Sequence, residues 1–433
     1  MRSAPVQHRG IALILVLTTI AILAAIGVDF SYSSRVSLKL AENLRDETRA
    51  YYMARSAVNL SRLLLHFQKQ VDALGGQLTG AIQGMLNKNQ PAQKPLPGAP
   101  QTAGASSLGI RLWEILPIDS NAFGALLSGS VEGLSMSAEK PAGEPGPPPP
   151  RAGERPQVEH SFGSFDGSFN TRIVDENSRI NVVGLNGLSG AARAAVIQLR
   201  AMMSDKKYDF IFDEEDANHD RATRDDVIIA MRDWIDVDET GSALDPTLPP
   251  DPFVNGFSDE NAAYDRYDPR YKAKNDKFDS LEELYMVRGV NDRFMAAFGD
   301  RLTVWPDINS KLNINTNDPA QMLTNILIAA QNPNDPALRD PRLLQTILQE
   351  IQLRKMFSFF GMSAQDFVSI LRANGIRLRV DPNTPGDVER FFGSTSDTFR
   401  ITATGRVGRI EKTITAVVRY DDTLGKLLYW KDE

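Results

Sequence analysis

Cysteine is absent from all 433 residues, which removes disulfides, thiolate zinc sites, iron–sulfur clusters and cysteine nucleophiles. Histidine is scarce. His8, His66, His160 and His219 are the four present, too few for ordinary His-based catalysis, and His160 and His219 read as surface residues. No GxxxxGKS or GxxxxGKT phosphate loop, GxGxxG fingerprint, HExxH pair or GxSxG elbow occurs, so no organic cofactor is expected. An excess of positive charge is also missing: 48 Lys+Arg against 55 Asp+Glu give −7 at pH 7, which argues against a broadly basic nucleic-acid surface. Carboxylates abound, but pairs of them without a cleft do not make a glycosidase. These absences point away from an enzyme. The length leaves room for two or three packed units.

What the chain does have is a long apolar run near its start. Ile11 to Val28 (IALILVLTTIAILAAIGV) is uncharged, preceded by Arg2, His8 and Arg9 and followed by Asp29. As a helix it spans roughly 27 Å at ~1.5 Å per residue, close to a bilayer core, and the basic flank predicts a cytoplasmic N-terminus. A cleaved secretory signal is the competing reading, with Ala24, Ala25 and Gly27 as small residues suited to the cut. The next segment argues against it. Neither proline nor glycine occurs between Val28 and Leu74, and Val36, Leu40, Leu44, Tyr51, Ala54, Val58 and Leu65 recur at helical steps. One helix from Ile11 to Leu74 is the simplest account, on the order of 96 Å long.

The junction HRG before IALIL, a short basic leader ending in Gly10, resembles a type IV prepilin leader. The resemblance implies that a prepilin peptidase cuts after Gly10 and that Ile11 becomes a methylated N-terminus, with the apolar helix retained. Most pilins carry Glu at the fifth mature position, where this chain has Leu15. A carboxylate in lipid is costly and needs a partner, so Leu15 marks a subunit without that pairing. Within type II secretion systems, the pseudopilin that lacks this Glu is the K subunit, a large minor pseudopilin.

Two stretches, Asn87 to Ser107 and Ser137 to Gln157, are proline-rich and read as linkers. LGIRLWEILPI (Leu108 to Ile118) between them predicts a strand. SFNTRIVDENSRINVV (Ser168 to Val183) predicts a hairpin turning at Asp175 to Ser178, and DTFRITATGRVGRIEKTITAVVRYD predicts a second strand pair around GRVGR. If these flanks share one antiparallel sheet, the region between them is a helical insertion, with helices at Gly190 to Met203, Asp225 to Ile235 and Ser280 to Gly289. Ser280 is the expected cap of the third, with Glu283 three residues on. A further helix opens at Asp318-Pro319.

RIVDENSRINV, RDWIDVDE, SLEELYMVRGV and LNINTNDPAQML occur in the order and approximate spacing of the type II secretion K pseudopilin, so the resemblance covers most of Phe169 to Leu327 as well as the N-terminal helix and terminal strands. The expected fold is α+β, a pilin-like long N-terminal helix plus antiparallel sheet with a large inserted helical subdomain. The expected divisions are a leader at 1–10, a transmembrane helix at 11–28, its amphipathic continuation at 29–74 and a variable region at 75–157. The first part of the sheet follows at 158–189, an acidic, helix-hairpin-helix-like insertion at 190–394 and the last strands at 395–433. The resemblance implies a minor pseudopilin in the bacterial inner membrane with its globular part in the periplasm. Its implied partners are the I and J pseudopilins, the prepilin peptidase and the inner-membrane secretion platform, with no nucleic acid. A membrane-anchored metal-dependent hydrolase and the tip component of a related type IV pilus are the alternatives.

Negative charge is local. Asp205 to Asp300 holds 25 acidic and 12 basic residues, a net of −13, so the remainder sums to +6. Asp213 stands at the head of an acidic run in which Asp216, Asn218 and Asp220 have the oxygen spacing of half a calcium loop, although Arg221 and Val227 stand where that loop needs glycine and glutamate. A second cluster, Asp233, Asp236, Asp238 and Glu239, lies at a helix end where the dipole disfavours anions, and a cation would relieve it. Asp259, Glu260, Asp265 and Asp268 are candidates to complete it from the next loop. The resemblance implies Ca²⁺ in this inserted region. Trp234 reads as a core anchor, and Gly289 as a helix-packing turn.

Overall fold

The computed structural model describes residues 9–88, 113, 118–120, 122, 167–188, 190–215, 220–245, 251–316, 319–332, 335–357, 362–381, 384, 387–420 and 425–433, with the side chains of the first helix described from 13 to 70. His160, His219 and nearly all of both proline-rich stretches fall outside these residues. So does most of Leu108 to Ile118, although Asp119 bridges to Asn170.

Helix α1 (Arg9–Lys88) is continuous for 80 residues, about 120 Å at ~1.5 Å per residue, and passes the expected end at Leu74 by fourteen positions. Its two halves differ. From Leu13 through Val28 every side chain is exposed, and among the described residues this is the one helix long and apolar enough to cross a membrane. The stripe residues Val36, Leu40 and Leu44 remain exposed as well, whereas Ala50, Met53, Ala54, Ala57, Val58, Ser61, Leu65 and Gln68 are buried. The small residues let the helix lie directly on a sheet. A Cβ at Gly405 would stand 2.1 Å from the Ala50 carbonyl oxygen and 2.7 Å from the Ala54 nitrogen, so only glycine fits there.

That sheet has four antiparallel strands in the order β1 (Ser168–Asp175), β8 (Thr398–Val407), β9 (Ile410–Arg419) and β10 (Lys426–Asp432). Asp175 pairs with Phe399 and Ser168 with Arg406, and β8 turns into β9 through Gly408, whose φ of 59° suits a tight hairpin. Phe169, Phe399, Ile401, Ala403, Ile414, Ala416 and Val418 face α1. Each large apolar side chain fully buried there contributes about 1.5–3 kcal/mol. Tyr420 adds a clamp: its hydroxyl donates to the Arg62 carbonyl at 2.8 Å, and Lys69 donates to the Tyr420 carbonyl.

The hairpin expected within Ser168 to Val183 does not form. β2 (Ile180–Asn181) leaves the sheet and pairs in parallel with β5 (Leu302–Thr303). The cause is the polar turn between them. Asp175 accepts from the Asn177 nitrogen at 2.9 Å, and Glu176, fully buried, turns inward to Arg400 at 2.8 Å and Arg179 at 3.8 Å. This redirects the chain into the insertion between β1 and β8.

The insertion holds α2 (Ala191–Met203), α3 (Asp209–Asp213), α4 (Arg224–Asp233), the hairpin β3 (Thr240–Leu244) with β4 (Phe253–Asp259), and α5 (Asp292–Phe298) around one core. Leu199, Met203, Ile228, Met231, Leu284, Phe294 and Phe298 are among its buried residues. A second core forms from β6 (Leu312–Asn313), α6 (Pro319–Ala329), α7 (Pro341–Phe357), α8 (Ala364–Ala373), α9 (Asp387–Phe391) and β7 (Phe392–Gly393). Ile326, Ile347, Ile351, Phe367 and Leu371 fill it. Pro319 is the first residue of α6, as its lost N–H allows. At Ser280 the expectation fails. A short 3-10 turn, Glu282–Met286, replaces the helix, and Glu283 is drawn instead to the Asp279 nitrogen and to Lys274. The buried LNINT segment joins the parts. Asn313 donates to Asp175 at 2.8 Å, and Asn315 donates to the carbonyls of Met362 and Ser394.

Candidate metal centre

Helix α4 is held at both ends by its own sequence. Thr223 caps it, accepting from the Asp226 nitrogen while Asp226 accepts from the Thr223 nitrogen at 2.9 Å. At the other end Trp234 is buried, stacks at 6.5 Å on Phe278 and meets Tyr264 edge-on at 5.7 Å. Its indole nitrogen donates to Glu283 at 3.0 Å, which fixes the helix end as a core anchor does. With the tryptophan locked inward, Asp233 and Asp236 are held at the mouth of the β3–β4 hairpin. The hairpin returns the chain to the same place: Thr240 pairs with Asp259, and Glu260 follows at once.

Asp233, Asp236 and Glu260 each offer a carboxylate oxygen within 4.8 Å of the other two. They are 7%, 5% and 5% exposed, so water screens them little. Asp233 accepts from the Ser242 nitrogen at 3.0 Å, and Asp236 lies 3.2 Å from the Arg232 guanidinium. The remaining Asp236 oxygen and both Glu260 oxygens are buried and make no hydrogen bond among the described residues. Burial, reinforced by Asp233 and Asp238 and opposed by Arg232, pushes the Asp236 carboxyl up to about 6. Burial, together with the neighbouring Asp236, Asp233 and Asp238, pushes Glu260 up to about 7, with Asn275 opposing the rise. Asp233 is raised by burial too. Three buried carboxylates with one guanidinium leave an uncompensated negative site, and orphaned oxygens of this hardness fit a cation such as Ca²⁺.

The sequence-predicted residues divide. Asp236 lies in this cluster, whereas Asp238 and Glu239 are exposed and outside it, Asp238 capping the Thr240 nitrogen at 2.8 Å. Of the loop candidates only Glu260 turns inward. Asp259 caps the Asn261 nitrogen, and Asp265 and Asp268 are exposed. The signal for Glu260 is its place directly after a strand that pairs back onto the acidic segment.

The half calcium loop gives a different picture. Asp216 and Asn218 lie outside the described residues. Asp213 is exposed and pairs with Arg221 at 3.2 Å. Asp220, expected as a ligand, is instead clamped by Arg288 at 2.7 Å and Arg266 at 2.9 Å. The Arg288 contact holds its carboxyl below the usual range against the cost of burial. Two guanidiniums already balance it, which disfavours a cation there.

Gly289 has a φ of 79°, and a Cβ on it would stand 2.7 Å from both Ala222 and Val227, so the turn packs onto α4. In α1, Gly10 and Ile11 lie in the first helical turn. Leu15 is exposed, its carbonyl accepting from Thr18 and Thr19.

No family model matches this chain. No curated protein matches it either. Among solved structures, it is similar to a chain of the GspK-GspI-GspJ complex from the Type 2 Secretion System of enterotoxigenic Escherichia coli. The TM-score is 0.40 at 16% identity, covering 63% of this chain and 82% of that one.

Proposed function

We propose that this chain is a minor pseudopilin of the K type, anchored in the bacterial inner membrane by α1 and carrying its sheet and helical insertion in the periplasm. The observation that carries the reading is the continuity of α1: one helix runs from an exposed apolar segment directly into the core of a four-stranded sheet. A signal peptide released by cleavage has no need of that continuity, whereas a subunit that must be extracted from lipid as a rigid rod does. The HRG leader fits processing by a prepilin peptidase between Gly10 and Ile11, with methylation of Ile11. Leu15 leaves the subunit without the mid-membrane carboxylate of its siblings, which suits a place at the tip of the pseudopilus. There it would assemble with I and J pseudopilins on the secretion platform and initiate or cap the filament for protein export.

In this reading Ca²⁺ is held by Asp233, Asp236 and Glu260, and its role is structural. When bound, it supplies the positive charge these carboxylates lack, joining the end of α4 to the base of the β3–β4 hairpin. No step of bond making or breaking is assigned to the chain.

The test is the mature N-terminus. Intact mass measurement of full-length protein coexpressed with a prepilin peptidase is expected to show a methylated chain starting at Ile11, and Gly10→Glu is expected to abolish the cut. A start after Gly27, or retention of Met1 in the unsubstituted chain, would overturn the reading.

A further inference from the structure

Between the two cores of the insertion lies a cavity of about 530 Å³, within the size range of small-ligand sites. Its charge is unbalanced. Arg379 and Lys311 line it, and among the described residues neither has an ion pair or a side-chain hydrogen bond. Burial lowers the Arg379 pKa, and the charge of Arg193 adds to that effect. Among the described residues of the lining one is acidic, Asp387, and it accepts from the Asp381 nitrogen at 2.8 Å. Helix α2 opens onto the same space through Gly190, which caps it without a side-chain hydrogen bond, so the positive end of a 13-residue helix adds to the field.

The cavity also has an amide that is only half used. Gln198 is 6% exposed, and its nitrogen donates to Asn325 at 3.3 Å. Its carbonyl oxygen makes no hydrogen bond among the described residues, which leaves an acceptor on the wall. Ala191, Ala194, Ile308 and Ile328 supply small apolar walls around these polar groups. Unpaired donors with positive charge, a free acceptor and apolar walls together match an amide backbone bearing a carboxylate.

We propose that this cavity binds a short peptide segment of another protein through an acidic side chain seated between Arg379 and Lys311. The Gln198 carbonyl accepts a backbone N–H of the same segment. The assignment does not depend on the pseudopilin reading.

Isothermal titration of the full chain in non-ionic detergent with the probe acetyl-Leu-Asp-Leu-amide tests it. Binding is expected about tenfold tighter than for acetyl-Leu-Asn-Leu-amide, and about tenfold weaker in Arg379→Gln. Arg406→Gln, which alters an exposed pair with Glu411 on the sheet, is expected to leave binding unchanged. Should Arg379→Gln unfold, Arg379→Lys keeps the charge and is expected to retain most of the affinity. Equal binding of the two peptides, no heat at millimolar peptide, or an unchanged Arg379→Gln overturns the proposal. Acetate that binds as tightly as the Asp peptide overturns its peptide part, since the cavity would then recognise an anion alone.

Discussion

Two buried acidic sites flank α4, and they are built from the same residue types to opposite effect. Asp220, a few residues before the helix, meets two guanidiniums and is held in its charged form. Asp233, Asp236 and Glu260, at and beyond the helix end, share one guanidinium among three carboxylates and are pushed toward the neutral form. The number of acids in a stretch of sequence therefore says little about cation binding. What decides it is how many arginines the fold brings within reach, because a carboxylate balanced by Arg⁺ has no need of a metal, whereas one buried without such a partner must be neutralised by a proton or a cation.

Removing Asp220 should have the largest effect. Asp220→Ala strands Arg288 and Arg266, and a loss of about 2–4 kcal/mol is expected in urea unfolding, somewhat under the full cost of breaking a buried pair because Arg266 is half exposed. Asp220→Ala unfolding at the same urea concentration as the parent would show that the clamp contributes nothing.

Calcium should separate the sites next. At 100-fold excess over its dissociation constant, one site present only in the folded state stabilises by roughly 2.7 kcal/mol. Asp236→Asn with Glu260→Gln should abolish that gain while raising the stability of the chelator-treated protein, since uncompensated buried charge is removed. Asp220→Asn should leave the calcium response in place. An identical melting temperature in calcium and in chelator would end the metal assignment.

The smallest effect expected is in the pH dependence of metal-free protein, where the two sites should slope in opposite directions. Asp236 and Glu260 have folded pKa values of about 6 and about 7, above their unfolded values. The native state then binds the extra protons, so their contribution is greatest below about pH 4 and is lost as pH rises toward 7. Asp220 has a depressed folded pKa, so its contribution is present above about pH 4 and is lost on acidification. In Asp236→Asn with Glu260→Gln the decline between pH 4 and 7 should flatten. If it persists unchanged in chelator, these carboxylates are not its source.

Much of the frame was legible in the residues. The absence of proline and glycine from Val28 to Leu74 specified a helix, since nothing in that stretch interrupts the backbone ladder. Alternation around GRVGR specified the β8–β9 hairpin, and the pairing of β1 with β8 closes the sheet across the insertion. Local rules failed where long-range contacts outweighed them. The stripe on α1 is uniform from Val36 to Leu65, yet it is buried only from Ala50 onward, because only there does the sheet approach. The turn at Asp175 to Ser178 reads as a hairpin but serves as an exit, since Glu176 meets Arg400 from 224 residues away.

The sequence by itself therefore determined the elements whose cause is local: the apolar helix, the alternating strands, the proline that opens α6 and the crowding of acids in one segment. Only the tertiary structure decided which of those acids are neutralised. Asp220 and Asp236 are indistinguishable by type and lie sixteen positions apart. Their difference arises from Arg266 and Arg288 on one side and Glu260 on the other, all brought in by distant loops. Electrostatic balance in a buried site depends on every charge within a few ångströms, and that neighbourhood exists only once the chain has folded.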